Sequence, residues 1–250
     1  MSIKKGLIYA IIPARSGSTS VVHKNVRMLA GHPLISYSIG IGKIVTKIDR
    51  VIVSTDSEEY AIIAKKYGAE VPFLRPAEIS GKYSTDYEFM DHAIRWLEDN
   101  EGILPEYWVH LRPTAPLRDP FIVEKAIDLI IADDSATSLR SAHSTLFCPH
   151  KWFKKDSEGY FETYDGISLD YANSPRQSFP TTYIPNGYVD ILKTDYIMKH
   201  KQIHGTKMIG YIVPETIDID YEQDFCELQR NVSSFAGPLY QWLNQRMNVL

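Results

Sequence analysis

An α/β fold built on a doubly wound, mostly parallel sheet, Rossmann-like in its alternation, is what this chain of 250 residues predicts. Three observations carry the expectation. Short continuous apolar runs recur, as in strands buried on both faces. They alternate with amphipathic stretches bounded by helix caps, and that alternation means parallel strands joined by right-handed crossovers. After about Leu146 the alternation stops, and it resumes only at Gly187. A closed eightfold barrel would not pause in this way. One domain over residues 1–250, with an excursion over 148–184, fits better.

The elements follow in order. Leu7 to Ile12 is a continuous apolar run and reads as the first strand. A polar loop runs from Ala14 to about Asn25. Pro33 then opens a helix through Val45, since proline costs nothing in a first helical turn. Arg50 to Ser54 is the next strand. Ser57 caps a helix whose first turn carries Glu58 and Glu59 and which stops at Gly68. Thr85-Asp86-Tyr87-Glu88 is a capping box for a helix reaching about Asp99. Tyr107 to Leu111 is a strand, and Asp119-Pro120 begins a helix whose stripe is Ile122, Val123, Ala126, Ile127, Ile130 and Ile131. Between Cys148 and Ile184 the sequence is rich in Tyr, Pro, Phe, Ser and Asp, with neither period. Regular runs return at Gly187–Leu192 and Met208–Val213, and a final helix is expected after Asp220.

Composition excludes several classes. The chain is 44% hydrophobic and carries a net charge of -4, without the basic excess on which nucleic-acid affinity rests. No apolar run approaches the roughly 18–20 residues that cross a bilayer. The opening Met1 to Lys5 and apolar Gly6 to Pro13 have the outline of a signal peptide. The segment is short and leads directly into a loop motif, so it reads as a strand and the expected location is the cytoplasm. Cys148 and Cys226, the only cysteines, make neither a disulfide framework nor a zinc pair and read as inert reduced thiols.

In an open parallel sheet, ligands bind beyond the carboxyl ends of the strands. Three loops lie there. In the first, Ala14, Arg15, Ser16, Gly17, Ser18, Thr19 and Ser20 lead to Lys24 and Asn25. Its small residues let backbone N–H groups approach a polyphosphate, which Arg15 and Lys24 would neutralise, and they suit a plain solvated loop equally well. It matches neither the Walker loop nor the dinucleotide glycine pattern. The second, Ser54-Thr55-Asp56, suits either nucleotide binding or capping of the next helix. The third, Arg112 to Asp119, is stiffened by Pro113 and Pro116, and its two arginines suit an anionic ligand or pairing with surface carboxylates. Asp218 and Asp220 alternate with Ile217 and Ile219, which places both carboxylates on one face of an extended segment. Such a pair repels unless a cation lies between, and Mg²⁺ takes one or two carboxylates plus water and phosphate oxygens. Asp220 also suits capping the last helix. His200 and His204 stand four apart but lack a third ligand, and they read as surface residues.

These segments, in this order, resemble the acylneuraminate cytidylyltransferases, or CMP-sialic acid synthetases. The similarity covers about residues 7–230. It rests on Ile12-Pro13-Ala14-Arg15 through Lys24-Asn25, on Leu29-Ala30-Gly31 with Pro33-Leu34-Ile35, and on Val53-Ser54-Thr55-Asp56. It continues through Tyr67 to Pro76, Pro113-Thr114 with Pro116-Leu117-Arg118, Arg176-Gln177, Asn186-Gly187 and Asp218-Ile219-Asp220. The resemblance implies Mg²⁺-assisted transfer, with Mn²⁺ an alternative ion, of CMP from CTP to the anomeric hydroxyl of an acidic nine-carbon sugar, releasing pyrophosphate. It implies Arg15, Lys24 and Asp218 in catalysis. Ala14, Arg15, Ser16, Gly17, Ser18, Asn25, Ser54, Thr55, Asp56 and Thr114 would bind nucleotide, and Asp218 and Asp220 metal. Arg176, Gln177 and Asn186 would face the sugar acid or the nucleotide, Arg112 would contact the sugar acid or restore the charge lost at Thr19, and Asp190 would lie on the sugar side. It also implies a homodimer in which residues 148–184 cross to the partner and cover Trp152, Phe153, Phe161 and Phe179.

Three positions depart from the family pattern. Ser16 to Ser20 stand where Gly-Gly-Ser-Lys-Gly is usual, so Thr19 replaces a lysine. Arg112 stands in place of a glutamine, and Asp190 in place of an aromatic. The alternatives kept open are a cytidylyltransferase for legionaminic, pseudaminic or an eight-carbon ulosonic acid, and a silent sugar-nucleotide-binding homologue. A dehydrogenase lacks its glycine pattern.

Overall fold

The computed structural model describes residues 2–18, 20–232 and 237–247. Among them, ten strands and eight α-helices follow the chain as β1 (Ser2–Pro13), β2 (Met28–Leu29), β3 (His32–Pro33), α1 (Leu34–Ile44), β4 (Arg50–Ser54), α2 (Glu58–Lys66), α3 (Asp86–Glu101), β5 (Ile103–His110) and α4 (Pro120–Ile131). The second half holds β6 (Ser138–Thr145), β7 (Phe153–Lys155), β8 (Phe161–Thr163), α5 (Leu169–Ala172), β9 (Thr182–Lys193), α6 (Thr194–His200), β10 (Met208–Ile212), α7 (Glu222–Asn231) and α8 (Pro238–Met247).

Six strands form one sheet in the order β10-β6-β9-β5-β1-β4. β1 is parallel to β4 and to β5, β10 is parallel to β6, and β9 alone runs antiparallel between β5 and β6. The expected mostly parallel, doubly wound sheet is therefore present. Its two faces bury different side chains of the same strands. Ile8, Ala10 and Ile12 of β1 join Tyr107 and Val109 of β5 under α1 and α4. Tyr9 and Ile11 join Trp108 beneath α3 and α6. A strand that feeds two cores has no polar face, which is why β1 reads as an unbroken apolar run.

The helix signals hold where they were read. The Ser57 side chain accepts from Tyr60 N at the start of α2, the Thr85–Glu88 capping box opens α3, and Asp119 accepts from Phe121 N ahead of Pro120. Four features differ from the sequence reading. Ser138–Thr145 is an interior strand that its polar spelling concealed, with Ser138 and Ser141 fully buried. Residues 148–184 are not without regular structure, because they carry the β7–β8 hairpin and the short α5. β9 begins at Thr182 rather than at Gly187. A second helix, α8, follows α7, packing Leu239 and Leu243 into the core beside α1.

β9 also contains the irregularity on which the site depends. Pro185 pairs with Ala142 and Asp190 with Arg140, so residues 186–189 face Ser141 alone. This bulge turns at Gly187, whose φ of +64° lies in the left-handed region that favours glycine.

Candidate active site

A cleft of about 540 Å³ opens beyond the carboxyl ends of β1, β4 and β5. It is lined by Arg15, Ser18, Ser20, Lys24 and Asn25 of the first loop, by Arg75, Lys82, Ser84, Thr85, Asp86 and Phe89 around the start of α3, and by Arg112, Pro113, Thr114 and Asp220. Five of these side chains are basic and two acidic, an imbalance suited to a polyanion.

The first loop is braced from behind. Asp56 accepts from Ser16 N at 2.7 Å and from Ser16 Oγ at 2.8 Å, and Ala14 N donates to Ser54 O at 2.9 Å. Asn25 Nδ2 ties the far end back to Arg15 O at 2.9 Å. The chain thus curls into a loop whose small residues Gly17 and Ser18 stand between fixed ends. Lys24 Nζ donates to Ile219 O at 2.6 Å. Burial lowers its pKa, against the opposing pull of Asp220 and Asp218. Arg15 Nη1 crosses the mouth of the cleft to the carbonyl of Gly81. Thr19, whose lost lysine was noted above, lies outside the described residues.

The second loop corrects the sequence reading. Asp56 neither caps α2 nor lines the cleft, because Ser16 occupies both of its oxygens and Ser57 is the cap. Thr55 is buried, its hydroxyl accepting from Ser57 N at 3.2 Å. Buried Ser54 receives Arg75, with Nε to Ser54 Oγ at 3.0 Å and Nη2 to Ser54 O at 2.7 Å. Sequence reasoning missed Arg75, Lys82 and Asp86 as site residues. Arg75 was legible only as part of a family run and Asp86 only as part of a capping box. Burial brings the Arg75 pKa down to about 10, and its guanidinium lies 4.9 Å from the Phe89 ring centroid.

Arg112 sits between two acids far off in sequence. Nη1 reaches Asp190 Oδ2 at 2.5 Å and Nη2 reaches Asp86 Oδ2 at 2.6 Å. Burial alone would lower the Arg112 pKa, but Asp190 and Asp86 outweigh it and hold it raised. Asp190 is buried behind Arg112 and does not line the cleft, so its expected place against the sugar is corrected to that of an anchor. Arg140 Nε stands 3.7 Å from its other oxygen. His110, also buried, lies 3.9 Å from Asp190, and burial, then Arg112, takes its pKa down to about 3. His200 is exposed as expected, whereas His204 is half-buried. Its Nδ1 lies 3.0 Å from Ser138 Oγ, and α6 has ended at His200, so the two histidines do not share a helix face.

Arg118, expected to meet an anion or a surface acid, does neither. It is wholly buried and donates to Tyr188 O at 2.5 Å, Ser38 Oγ at 3.0 Å, Arg112 O at 2.6 Å and Gly187 O at 3.0 Å. Its task is to satisfy the bulge of β9. Asn186 belongs to the same bulge, accepting from Ser141 Oγ at 2.9 Å, and is buried. Arg176 and Gln177 do not line the cleft within this chain. Arg176 instead donates to Leu146 O at 2.8 Å and Thr145 O at 2.6 Å, holding the root of the 148–184 excursion.

Asp218 and Asp220 share one side of an extended segment while Ile217 and Ile219 pack into the core, as the alternation predicts. The segment is not a paired strand, and it is fastened by Ile219 N to Thr114 O at 2.9 Å. Asp220 does not cap α7; Asp224 closes that turn by accepting from Asp220 N and Tyr221 N. Burial and then Asp218 raise the Asp220 pKa, the repulsion expected of an unshared carboxylate pair. Asp218 Oδ1 is buried without a hydrogen-bond partner. A Cβ on Gly187 would stand 3.4 Å from Asp218 Oδ2 and 3.7 Å from Arg112 Cδ, so bulge, acid and arginine meet at one point.

A mostly parallel sheet with a basic, small-residue loop beyond β1 and an acidic pair across from it defines a nucleotide-transferring class of protein. The chain belongs to the cytidylyltransferase family, whose model matches residues 9–178. It is 31% identical over 246 residues to the N-acylneuraminate cytidylyltransferase of Escherichia coli O18:K1:H7, a match covering 96% of this chain and 56% of that protein. The chain therefore spans little more than half of that relative's length. It is also 29% identical over 229 residues to the CMP-N,N'-diacetyllegionaminic acid synthase of Legionella pneumophila, covering 87% of this chain and 93% of that one. Among solved structures, a CMP:2-keto-3-deoxy-manno-octonic acid synthetase complexed with CTP superposes with a TM-score of 0.66 at 14% identity, covering 91% of this chain and 99% of that one, a likeness of fold.

Proposed function

We propose that this chain transfers CMP from CTP to the anomeric hydroxyl of a sialic-acid-like nonulosonic acid. The observation that supports this best is the cleft itself. Arg15, Lys24 and Lys82 converge on one space with Asp220 at its edge. In the reaction the sugar oxygen attacks the α-phosphorus, a new P–O bond forms, and the bridging bond to the β-phosphate breaks. Pyrophosphate leaves with that electron pair, and the proton of the sugar hydroxyl passes to water. Such a transfer needs positioning and charge neutralisation more than covalent help. Arg15 and Lys24 would hold the triphosphate, the backbone and hydroxyls of the first loop with Thr114 the nucleotide, and Arg112 the acidic sugar.

Asp218 and Asp220 fit a hard divalent cation, Mg²⁺ or Mn²⁺, because an unpartnered buried oxygen and a repelling partner acid both gain from one. When bound, the ion would supply neutralisation of phosphate charge. The nine-carbon acids are preferred because the two relatives by sequence are named for N-acylneuraminate and N,N'-diacetyllegionaminic acid, whereas the octonic acid synthetase is a likeness of fold alone. We also place the protein in the cytoplasm with CTP, and assign it a homodimer through the excursion, where Trp152, Phe153 and Phe161 are exposed; Phe179, expected to need the partner, is instead buried within this chain. Among the described residues, no helix is long and apolar enough to cross a membrane.

The test is pyrophosphate release from CTP with N-acetylneuraminate, N,N'-diacetyllegionaminate, pseudaminate and an eight-carbon ulosonic acid. Release with one of the nine-carbon acids is expected. CTP binding without release in any reaction would instead favour a silent nucleotide-binding homologue.

A further inference from the structure

Arg112 is held by two carboxylates that differ in kind. The Asp190 side chain is 1% exposed and stands behind the guanidinium, while the Asp86 side chain is 37% exposed and lines the cleft. Arg112, at 19%, lies between them with its outer edge toward the cleft. Asp190 pairs with Arg112 from behind and fixes its orientation, while its other oxygen lies 3.7 Å from Arg140 Nε. Asp86 is therefore a second anion, on the ligand side of a guanidinium that has one partner without it.

We propose that Asp86 is a specificity-determining residue that occupies, on the outer edge of Arg112, the place taken by the carboxylate of the acceptor sugar. This rests on the function proposed above. A guanidinium edge accepts one carboxylate well, through charge-assisted hydrogen bonds. An acidic ligand can displace Asp86 because it brings the same charge and the same acceptor oxygens. A neutral ligand brings no charge to exchange for that of Asp86 and leaves the Asp86 pair intact. The displaced Asp86 is not stranded, since it is the first residue of the 16-residue helix α3, where a negative charge is favoured. The arrangement admits acids and excludes neutral sugars of the same shape, at the cost of some affinity for the acid: only the fraction of molecules with Arg112 released binds it.

The experiment compares the parent with Asp86→Asn, which keeps the size of the side chain and an acceptor oxygen. Sugar KM is measured in pyrophosphate release from CTP, using whichever of N-acetylneuraminate, N,N'-diacetyllegionaminate and pseudaminate turns over, and again with its C1 amide. The reading expects Asp86→Asn to lower the KM of the acid by roughly three- to tenfold, the range for freeing a largely buried arginine from one ion pair, with the amide unchanged. Arg112→Gln should abolish the preference for acid over amide. If Asp86→Asn raises the acid's KM or leaves it unaltered, Asp86 only positions Arg112 and the proposal is overturned. An equal fall for acid and amide also overturns it, because a general loss of negative charge would then suffice. Should Asp86→Asn melt far below the parent, Asp86→Ser carries the same comparison. No release by the parent with any of the three acids would refute the proposed function itself, a failure distinct from all of these.

Discussion

Replacing Arg118 by methionine tests whether this arginine serves the fold or the ligand. Its guanidinium donates to the carbonyls of Gly187 and Tyr188, which lie outside the paired register of β9 on both sides. It also donates to Arg112 O, which keeps a donor in Ser38 Oγ at 3.3 Å if Arg118 is lost. Two buried acceptors would therefore be left without partners, each costing about 1–3 kcal/mol. Methionine fills the volume and avoids the cost of burying a charge, which offsets part of the loss. A net destabilisation of about 3–4 kcal/mol follows. For a chain of this size that corresponds to a fall in Tm of roughly 6–16 °C. Circular dichroism melts, checked by urea titration, would measure it. A Tm within about 3 °C of the parent together with a CTP KM raised tenfold or more would refute the reasoning and return Arg118 to the anion-binding role its loop position suggests.

Other expectations concern the acid pair, a buried histidine and the excursion. Asp218→Asn and Asp220→Asn should each lower turnover by about 100-fold or more in saturating Mg²⁺, since metal neutralisation of phosphate charge is worth several kcal/mol; parent-like turnover in both would end the metal assignment. His110 has a folded pKa of about 3 against an ordinary 6.5, so the unfolded chain binds a proton that the folded protein refuses between those values. Stability should therefore be intact above about pH 6.5 and decline on acidification, with His110 contributing about 1.4 kcal/mol per pH unit below that point. His110→Leu should lose about 1.4 kcal/mol less than the parent between pH 7.5 and 5.5 in urea titrations, and identical losses would show that His110 is not the group responsible. Trp152→Ser with Phe161→Ser should shift the solution mass from dimer toward monomer in analytical ultracentrifugation; a parent that is itself monomeric at micromolar concentration would count against the dimer.

Much of the scaffold was legible from sequence because its causes are local. Strands β1, β4 and β5 announce themselves as apolar runs, and the caps at Ser57, Thr85 and Asp119 are side chains bonding to backbone two or three residues away. The first loop and the Asp218–Asp220 alternation are equally local, one a matter of small residues after a strand, the other of strand periodicity. β6 was hidden for the opposite reason. Its Ser138 and Ser141 look solvated but are buried, satisfied by His204 and Asn186 from elements far along the chain.

What the tertiary structure decided is which charge meets which. The sequence places Arg112 and Arg118 six residues apart on one proline-stiffened turn and gives them the same reading. Folding sends one to Asp86 and Asp190 at the cleft and the other inward to the carbonyls of a bulge. It turns Asp56 away from the cleft to brace Ser16, draws Asp190 behind Arg112, and brings Arg75 and Asp86 into the cleft. An ionisable side chain carries its charge in the sequence, but its partner is set by which elements the sheet order makes neighbours. The bulge opposite Ser141 adds a further condition. Backbone groups that leave the ladder must be satisfied locally, and the buried guanidinium of Arg118 satisfies them.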